Sequence, residues 1–175
     1  MTGTPKPSAA AAHDVLQVGQ EAPDFTLPST KGRPVTLAEH RGKPVVLYFY
    51  PEDHTVGCTM EARTFRAYFE SLAFHEVVIL GVSRDNVDNH CSFQEKESLP
   101  FDLLSDVDET VHDAYGAWRE TTFRRRRVVR RCTYIIGPDG MIAKTYPSVN
   151  VLNHAATVLR DIERIGHDQG WFGPH

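Results

Sequence analysis

The sequence predicts one α/β domain: a mixed central sheet with helices on both faces and an N-terminal hairpin. Three observations carry that prediction. Val45-Val-Leu-Tyr-Phe-Tyr50 and Val77-Val-Ile-Leu-Gly-Val82 are short runs too uniformly apolar for half-exposed strands, so both read as buried strands, the first central and covered on both faces. Segments with helical spacing separate and follow them. Thr133-Tyr-Ile-Ile136 and Met141-Ile-Ala-Lys-Thr-Tyr146 flank Gly137-Pro-Asp-Gly140, which has the turn chemistry of an antiparallel hairpin. A chain of 175 residues, 41% of them hydrophobic, suits one domain with one substantial core.

The elements follow in order. Residues 1–14 are rich in Pro, Ala, Thr and Ser without periodicity and read as a flexible tail. The domain is expected over 15–168, with a second tail over 169–175. Asp24-Phe-Thr-Leu27 alternates like a strand, and Val35-Thr-Leu37 pairs back on it across the turn Ser29-Thr-Lys-Gly-Arg33. After the central strand, Ala62, Phe65, Phe69 and Leu72 mark a helix. Asn86 to Ser98 reads as a helix stopped by Pro100; its apolar positions (Val87, Cys91, Phe93) are sparse, which puts it at the surface. Phe101 to Leu104 is a short strand, and Asp108 to Tyr115 a short helix closed by Gly116. Leu152, Ala155, Ala156, Leu159 and Ile162 form the stripe of a last helix packed on the sheet.

Composition excludes several classes. A net charge of -4 gives no global attraction to nucleic acid or anionic membrane. Three scattered cysteines are too few for a secreted disulfide scaffold, and no C-x-x-C pair suggests a dithiol oxidoreductase. No secretory signal and no apolar run near the roughly 20 residues of a membrane span is visible. A reducing cytoplasm is the expected location.

The chemistry concentrates in Pro51-Glu-Asp-His-Thr-Val-Gly-Cys58-Thr-Met-Glu61, between the first buried strand and the first helix. Cys58 falls at the mouth of that helix, where unpaired N–H groups and the dipole favour negative charge. Thiols so placed ionise below the free value of about 8.5. A nucleophilic thiolate at the C-terminal end of a buried strand is therefore expected. His54 is also in the loop, but nine scattered histidines cluster with no further ligands, so neither metal nor cofactor is expected.

These residues carry a resemblance. Pro51, Thr55 and Cys58 match the P-x-x-x-T-x-x-C signature of the peroxiredoxins, thiol peroxidases of the thioredoxin fold. Leu16-Gln-Val-Gly-Gln-Glu-Ala-Pro-Asp-Phe-Thr-Leu27, Gly81-Val-Ser-Arg-Asp85, Leu99-Pro-Phe-Asp-Leu-Leu-Ser-Asp106, Ala114-Tyr-Gly116 and Arg131-Cys-Thr-Tyr-Ile-Ile-Gly-Pro-Asp-Gly140 resemble, in order, blocks of the peroxiredoxin Q (bacterioferritin comigratory protein) subfamily. The likeness runs from about Leu16 to about Ile165.

The resemblance implies that Cys58 attacks peroxide and becomes a sulfenic acid. It implies a substrate contact for Thr55, a shield against water in Pro51, and an arginine two residues before the strand-opening Thr133. That position selects Arg131 from the crowd between Arg124 and Arg131. Arg130 faces the other way in an extended chain. Arg124 to Arg127 reads as a solvated loop, and Glu61 as a cap or an arginine partner. Many members carry a second cysteine five residues after the first, where this chain has Arg63. Cys91, on the predicted Asn86–Ser98 helix and about one turn before the position of another branch, is the expected resolving cysteine. Cys132, facing away from Arg131's side, is expected to be structural. A one-cysteine mechanism with external thiols stays open.

The expected activity is reduction of hydrogen peroxide and organic hydroperoxides, with recycling by a thioredoxin-like dithiol protein or a small thiol. The resemblance leans to a monomer, with a weak dimer as the alternative. A non-enzymatic redox sensor built on the same Cys58 is the rival reading, and it would oxidise without turnover.

Overall fold

The computed structural model describes residues 14–121 and 127–173. The expected N-terminal tail, apart from Asp14, therefore lies outside the described residues, as do Arg124, Arg125 and Arg126.

The chain runs β1 (Thr26–Leu27), β2 (Val35–Thr36), a 3-10 turn (Leu37–His40), β3 (Val45–Phe49), α1 (Val56–Ala67), α2 (Phe69–Phe74) and β4 (Val78–Ser83). It continues α3 (Val87–Glu97), β5 (Asp102–Ser105), α4 (Thr110–Ala114), β6 (Trp118–Glu120), β7 (Arg127–Val129), β8 (Cys132–Ile136), β9 (Ile142–Tyr146) and α5 (His154–Gln169). The main sheet has the order β5-β4-β3-β8-β9, with β3 central, parallel to β4 and antiparallel to β8. β1 and β2 form the expected N-terminal hairpin.

The period of two in β3 divides the core. Val45, Leu47 and Phe49 pack beneath the β1–β2 hairpin and α4. Val46 and Tyr48 face α1, α2, α3 and α5. β8 divides the same way: Cys132, Tyr134 and Ile136 go to the first layer, Ile135 to the second. Both faces are covered, as predicted, and all five residues of β3 are buried.

Four features differ from the sequence reading. The helix after Cys58 breaks at Tyr68 (φ -99°, ψ 6°), so Phe69 and Leu72 belong to α2. β6 and β7 pair where no strand is expected, Trp118 opposite Val129. Arg127 is not merely a solvated end of the arginine run: its guanidinium lies 3.9 Å from the Trp118 ring centroid and pairs with Glu109 and Asp113 at 3.1 and 3.0 Å. α5 buries His154, Ala155, Val158, Asp161, Ile162 and Ile165, while Leu152 precedes the helix and is 66% exposed. The buried face is rotated because two polar residues are satisfied inside it: His154 Nε2 bonds Thr133 Oγ1 at 2.8 Å, and the Tyr146 hydroxyl donates to Asp161 at 2.5 Å.

The expected C-terminal tail is anchored as far as Phe172. Gly170 turns the chain at φ +69°, and the Trp171 N–H donates to the Gly166 carbonyl at 2.8 Å. Phe172 lies so close over Gly166 that a Cβ there would sit 2.2 Å from its ring. Among the described residues no helix is long and apolar enough to cross a membrane.

Candidate active site

β3 delivers the chain to one end of the sheet, where Pro51 stops the ladder because it has no N–H to donate. The loop turns through His54, whose φ of 65° is unusual for a non-glycine residue. Thr55 is extended and occupies the N-cap of α1, but its side chain makes no cap bond. Its hydroxyl donates instead to the Glu52 carbonyl at 2.9 Å. With its proton so committed, the exposed Oγ1 presents lone pairs to an incoming donor. Cys58 follows in the first turn of α1, only 2% exposed.

The second part of the site comes from β8. Arg131 precedes β8 by one residue and has the parity of Thr133 and Ile135, so it faces the layer that contains Cys58. Its Nη2 donates to Cys58 Sγ at 3.3 Å. Its Nη1 pairs with Glu61 Oε2, one turn along α1. Arg130, of opposite parity, turns its Nε to the Trp118 carbonyl at 3.1 Å. Gly57 gives the guanidinium room: a Cβ there would sit 3.2 Å from Arg131 Nη2. The structure thus brings Cys58, Glu61 and Arg131 into contact, with Pro51 and Thr55 in the loop that leads into α1.

Burial governs the electrostatics. It pushes the fully buried Glu61 carboxyl from an ordinary 4.5 up to about 7, against the pull of Arg131, and among the described residues Glu61 Oε1 has no hydrogen-bond partner. Burial also works against the Arg131 charge, but Glu61 and Cys58 more than offset it and its pKa is raised. His154 is pushed down to about 4, by burial first and then by Arg131, so its ring is neutral near pH 7.

The other thiols differ sharply. Cys132 is fully buried in the opposite layer, and burial pushes its thiol up to about 12, which keeps it protonated and unreactive. Cys91 is exposed on α3, and all three cysteines are free. Arg63, five residues after Cys58, clamps α1 to α3 through Glu97 at 2.7 Å.

One group of residues at the site is missing from the sequence reading. Asp53, Asp85 and His90 bring three ligand-type atoms within 4.8 Å of one another beneath the loop. Each is engaged within the protein: Asp53 with Tyr50 and His90, and Asp85 with Ser83 and the Asp53 N–H. Asp53 lies in the motif, but His90 is distant in sequence and its helix looks merely sparse in apolar residues. The one available signal is the spacing of His90, Phe93 and Glu97, which share a buried face.

Comparison with known proteins agrees with this geometry. Residues 18–145 match the AhpC/TSA family. The chain is 43% identical over 146 residues to a putative peroxiredoxin bcp of Coxiella burnetii, covering 82% of this chain and 97% of that protein. It is 39% identical over 150 residues to peroxiredoxin Bcp of Bacillus subtilis, covering 85% and 96%. Among solved structures, the bacterioferritin comigratory protein of Xanthomonas campestris, studied for alkyl peroxide reduction, superposes with a TM-score of 0.80 at 33% identity over 85% of this chain and 98% of that one. A peroxiredoxin Q mutant of Xylella fastidiosa gives 0.82 at 30% identity, covering 86% and 98%.

Proposed function

The chain belongs to the AhpC/TSA family and is a peroxiredoxin of the Bcp (peroxiredoxin Q) kind, a thiol-dependent peroxidase with the thioredoxin fold; from that premise we propose that Cys58 is the thiolate that attacks peroxide. The contact of Arg131 Nη2 with Cys58 Sγ, at 3.3 Å in the first turn of a helix, carries this assignment. The sulfur attacks one peroxide oxygen, the O–O bond breaks, and the distal oxygen leaves as hydroxide or alkoxide. Arg131 stabilises the thiolate and the charge that develops on the oxygens, and a guanidinium does so without losing its own proton. Thr55 Oγ1 accepts a hydrogen bond from the O–H of the attacked peroxide oxygen and so orients it; that proton stays on the oxygen as the sulfenic acid forms. Pro51, half-buried beside the loop, screens the sulfur from water.

The substrate class is hydrogen peroxide and organic hydroperoxides, and Cys91 is the thiol that resolves the sulfenic acid. Two observations support Cys91: it is exposed on a helix with few apolar contacts, and Cys132 is locked in the opposite layer. A thioredoxin-like dithiol protein then reduces the disulfide. A reducing cytoplasm suits three free cysteines, and the protein acts as a monomer, consistent with the contact of Cys58, Glu61 and Arg131 within one chain.

Cys58→Ser tests the central assignment. Peroxide consumption with a thioredoxin system falls to background while the far-ultraviolet spectrum stays at that of the parent; substantial turnover in this variant overturns the assignment. Non-reducing peptide mapping after one equivalent of peroxide tests the resolving thiol. A Cys58–Cys91 peptide is expected, whereas a stable sulfenic acid with Cys91 free points to resolution by external thiols.

A further inference from the structure

Beneath the loop that carries Thr55 lies a buried polar chain that the peroxide reaction does not itself use. The Asp53 carboxylate accepts from the Tyr50 hydroxyl at 2.6 Å and from His90 Nδ1 at 2.7 Å. His90 is fully buried, and its Nε2 reaches the Leu104 carbonyl of β5 at 2.9 Å. Carboxylate and carbonyl only accept, so both ring nitrogens of His90 face acceptors fixed by the fold. The pair joins two segments distant in sequence: the loop before Cys58 and the helix that bears Cys91.

α3 is held unevenly. In its C-terminal half, Phe93 is buried, Gln94 Nε2 donates to the Phe101 carbonyl at 2.9 Å, and Glu97 pairs with Arg63 at 2.7 Å. In its N-terminal half, from Val87 to Cys91, His90 alone is buried. The Asn86 cap on the Asn89 N–H is the other fixture there. Cys91 follows His90, about 100° further round the helix, and faces solvent. While His90 is seated, Cys91 points outward and Cys58 lies buried in α1.

We propose that the Asp53–His90 pair is a latch: these are positioning residues for the second chemical step, and the pair must part before the first turns of α3 unwind and carry Cys91 to oxidised Cys58. The inference rests on Cys91 as the resolving thiol. In that step the Cys91 sulfur attacks the Cys58 sulfenic sulfur. The S–S bond forms, the S–O bond breaks, and the departing hydroxide takes the thiol proton to become water. The oxidising equivalents come from the peroxide consumed in the first step. Opening is coupled to the loop because Asp53 also anchors it, through its N–H to Asp85 at 3.0 Å. His54 adds an edge contact to Phe93, ring centroids 5.3 Å apart. The latch therefore sets how long the sulfenic acid persists, and a longer life exposes it to a second peroxide and to sulfinic acid.

The test mixes the reduced full-length protein with one equivalent of hydrogen peroxide. The reaction is quenched with a thiol-alkylating reagent over milliseconds to seconds, and sulfenic acid and disulfide are counted by mass. His90→Phe is expected to form the disulfide at least tenfold faster than the parent, and Tyr50→Phe about threefold faster. His90→Asn, whose amide nitrogen can replace Nδ1 as donor to Asp53, stays near the parent rate. The peroxide concentration that inactivates the enzyme rises in the same order, a change that simple destabilisation does not produce. Should His90→Phe fail to fold, Tyr50→Phe decides. A normal Cys58–Cys91 disulfide whose rate and peroxide tolerance are unmoved in these variants overturns the latch alone. Absence of that disulfide from the parent overturns the resolving role of Cys91, and the latch with it.

Discussion

At the scale of single residues, one guanidinium organises the site, and parity along an extended strand selects it. Arg131 and Arg130 are neighbours in sequence, yet only Arg131 reaches Cys58; Arg130 is spent on a backbone carbonyl. Replacing Arg131 with Met removes the one side chain that, among the described residues, donates to the sulfur. Loss of a single preorganised donor from a transition state costs roughly a hundredfold or more. Arg131→Met is therefore expected to slow Cys58 oxidation by about that factor, and Arg130→Met by less than about threefold. Stopped-flow fluorescence measures both, and equal losses in the two variants would show that position, not the guanidinium contact, is at stake. This choice was legible in the sequence because the resembled motif places an arginine two residues before Thr133, and alternation turns Arg130 to the other face. The partnership of Arg131 with Glu61 was legible only as one of two options, since a cap and an ion pair look alike from spacing. The His90–Asp53 contact was not legible at all. It depends on where β5 and α3 come to rest, and no local pattern records that.

At the scale of elements, patterning identified what is apolar and missed what is polar but satisfied. β3, β4, β8 and β9 were readable because uniformly apolar runs and a Gly-Pro-Asp-Gly turn leave few alternatives. β6 and β7 are three residues each beside an arginine run, too short and too charged for a period to show. The face of α5 was misjudged because apolar counting passes over His154 and Asp161, which are buried with their hydrogen bonds made. The C-terminal anchor was missed for a related reason: two aromatics beyond a helix-ending glycine show no period. That anchor has a measurable share in stability. Phe172 is half-buried over Gly166, so Phe172→Ala is expected to cost about 2 kcal/mol, less than the 3–5 of a fully buried ring. α5 is 16 residues long, so its last residue lies about 22 Å from His154, its first, at the active-site end. The urea midpoint should therefore fall while the rate of Cys58 oxidation stays within about twofold of the parent; a large kinetic loss would mean that α5 transmits its anchoring to the site.

At the scale of the whole molecule, the two layers of the core divide the thiols, and the Cys58 layer concentrates charge around Arg131. Two buried groups there respond to pH in opposite senses. Glu61 has a folded pKa of about 7 against 4.5 for an ordinary carboxyl. Between those values the native state holds the extra proton, so its contribution is present at low pH and is lost as pH rises through 7. His154 has a folded pKa of about 4 against 6.5. Here the unfolded state holds the extra proton, so its contribution is present above 6.5 and is lost as pH falls toward 4. From about pH 4.5 to 6.5 the two slopes oppose each other, each at most about 1.4 kcal/mol per pH unit. Removing one exposes the other. Urea unfolding followed by Trp118 and Trp171 fluorescence should show Glu61→Gln gaining about 2 kcal/mol, relative to parent, on going from pH 4.5 to 6.5. His154→Gln, whose amide can still meet Thr133, should lose about as much over the same range. Parallel slopes in the two variants would mean that these groups do not carry opposed protons in the folded state. Opposite slopes would establish that the pocket around Arg131 offsets the acid sensitivity of one buried group with the alkaline sensitivity of another.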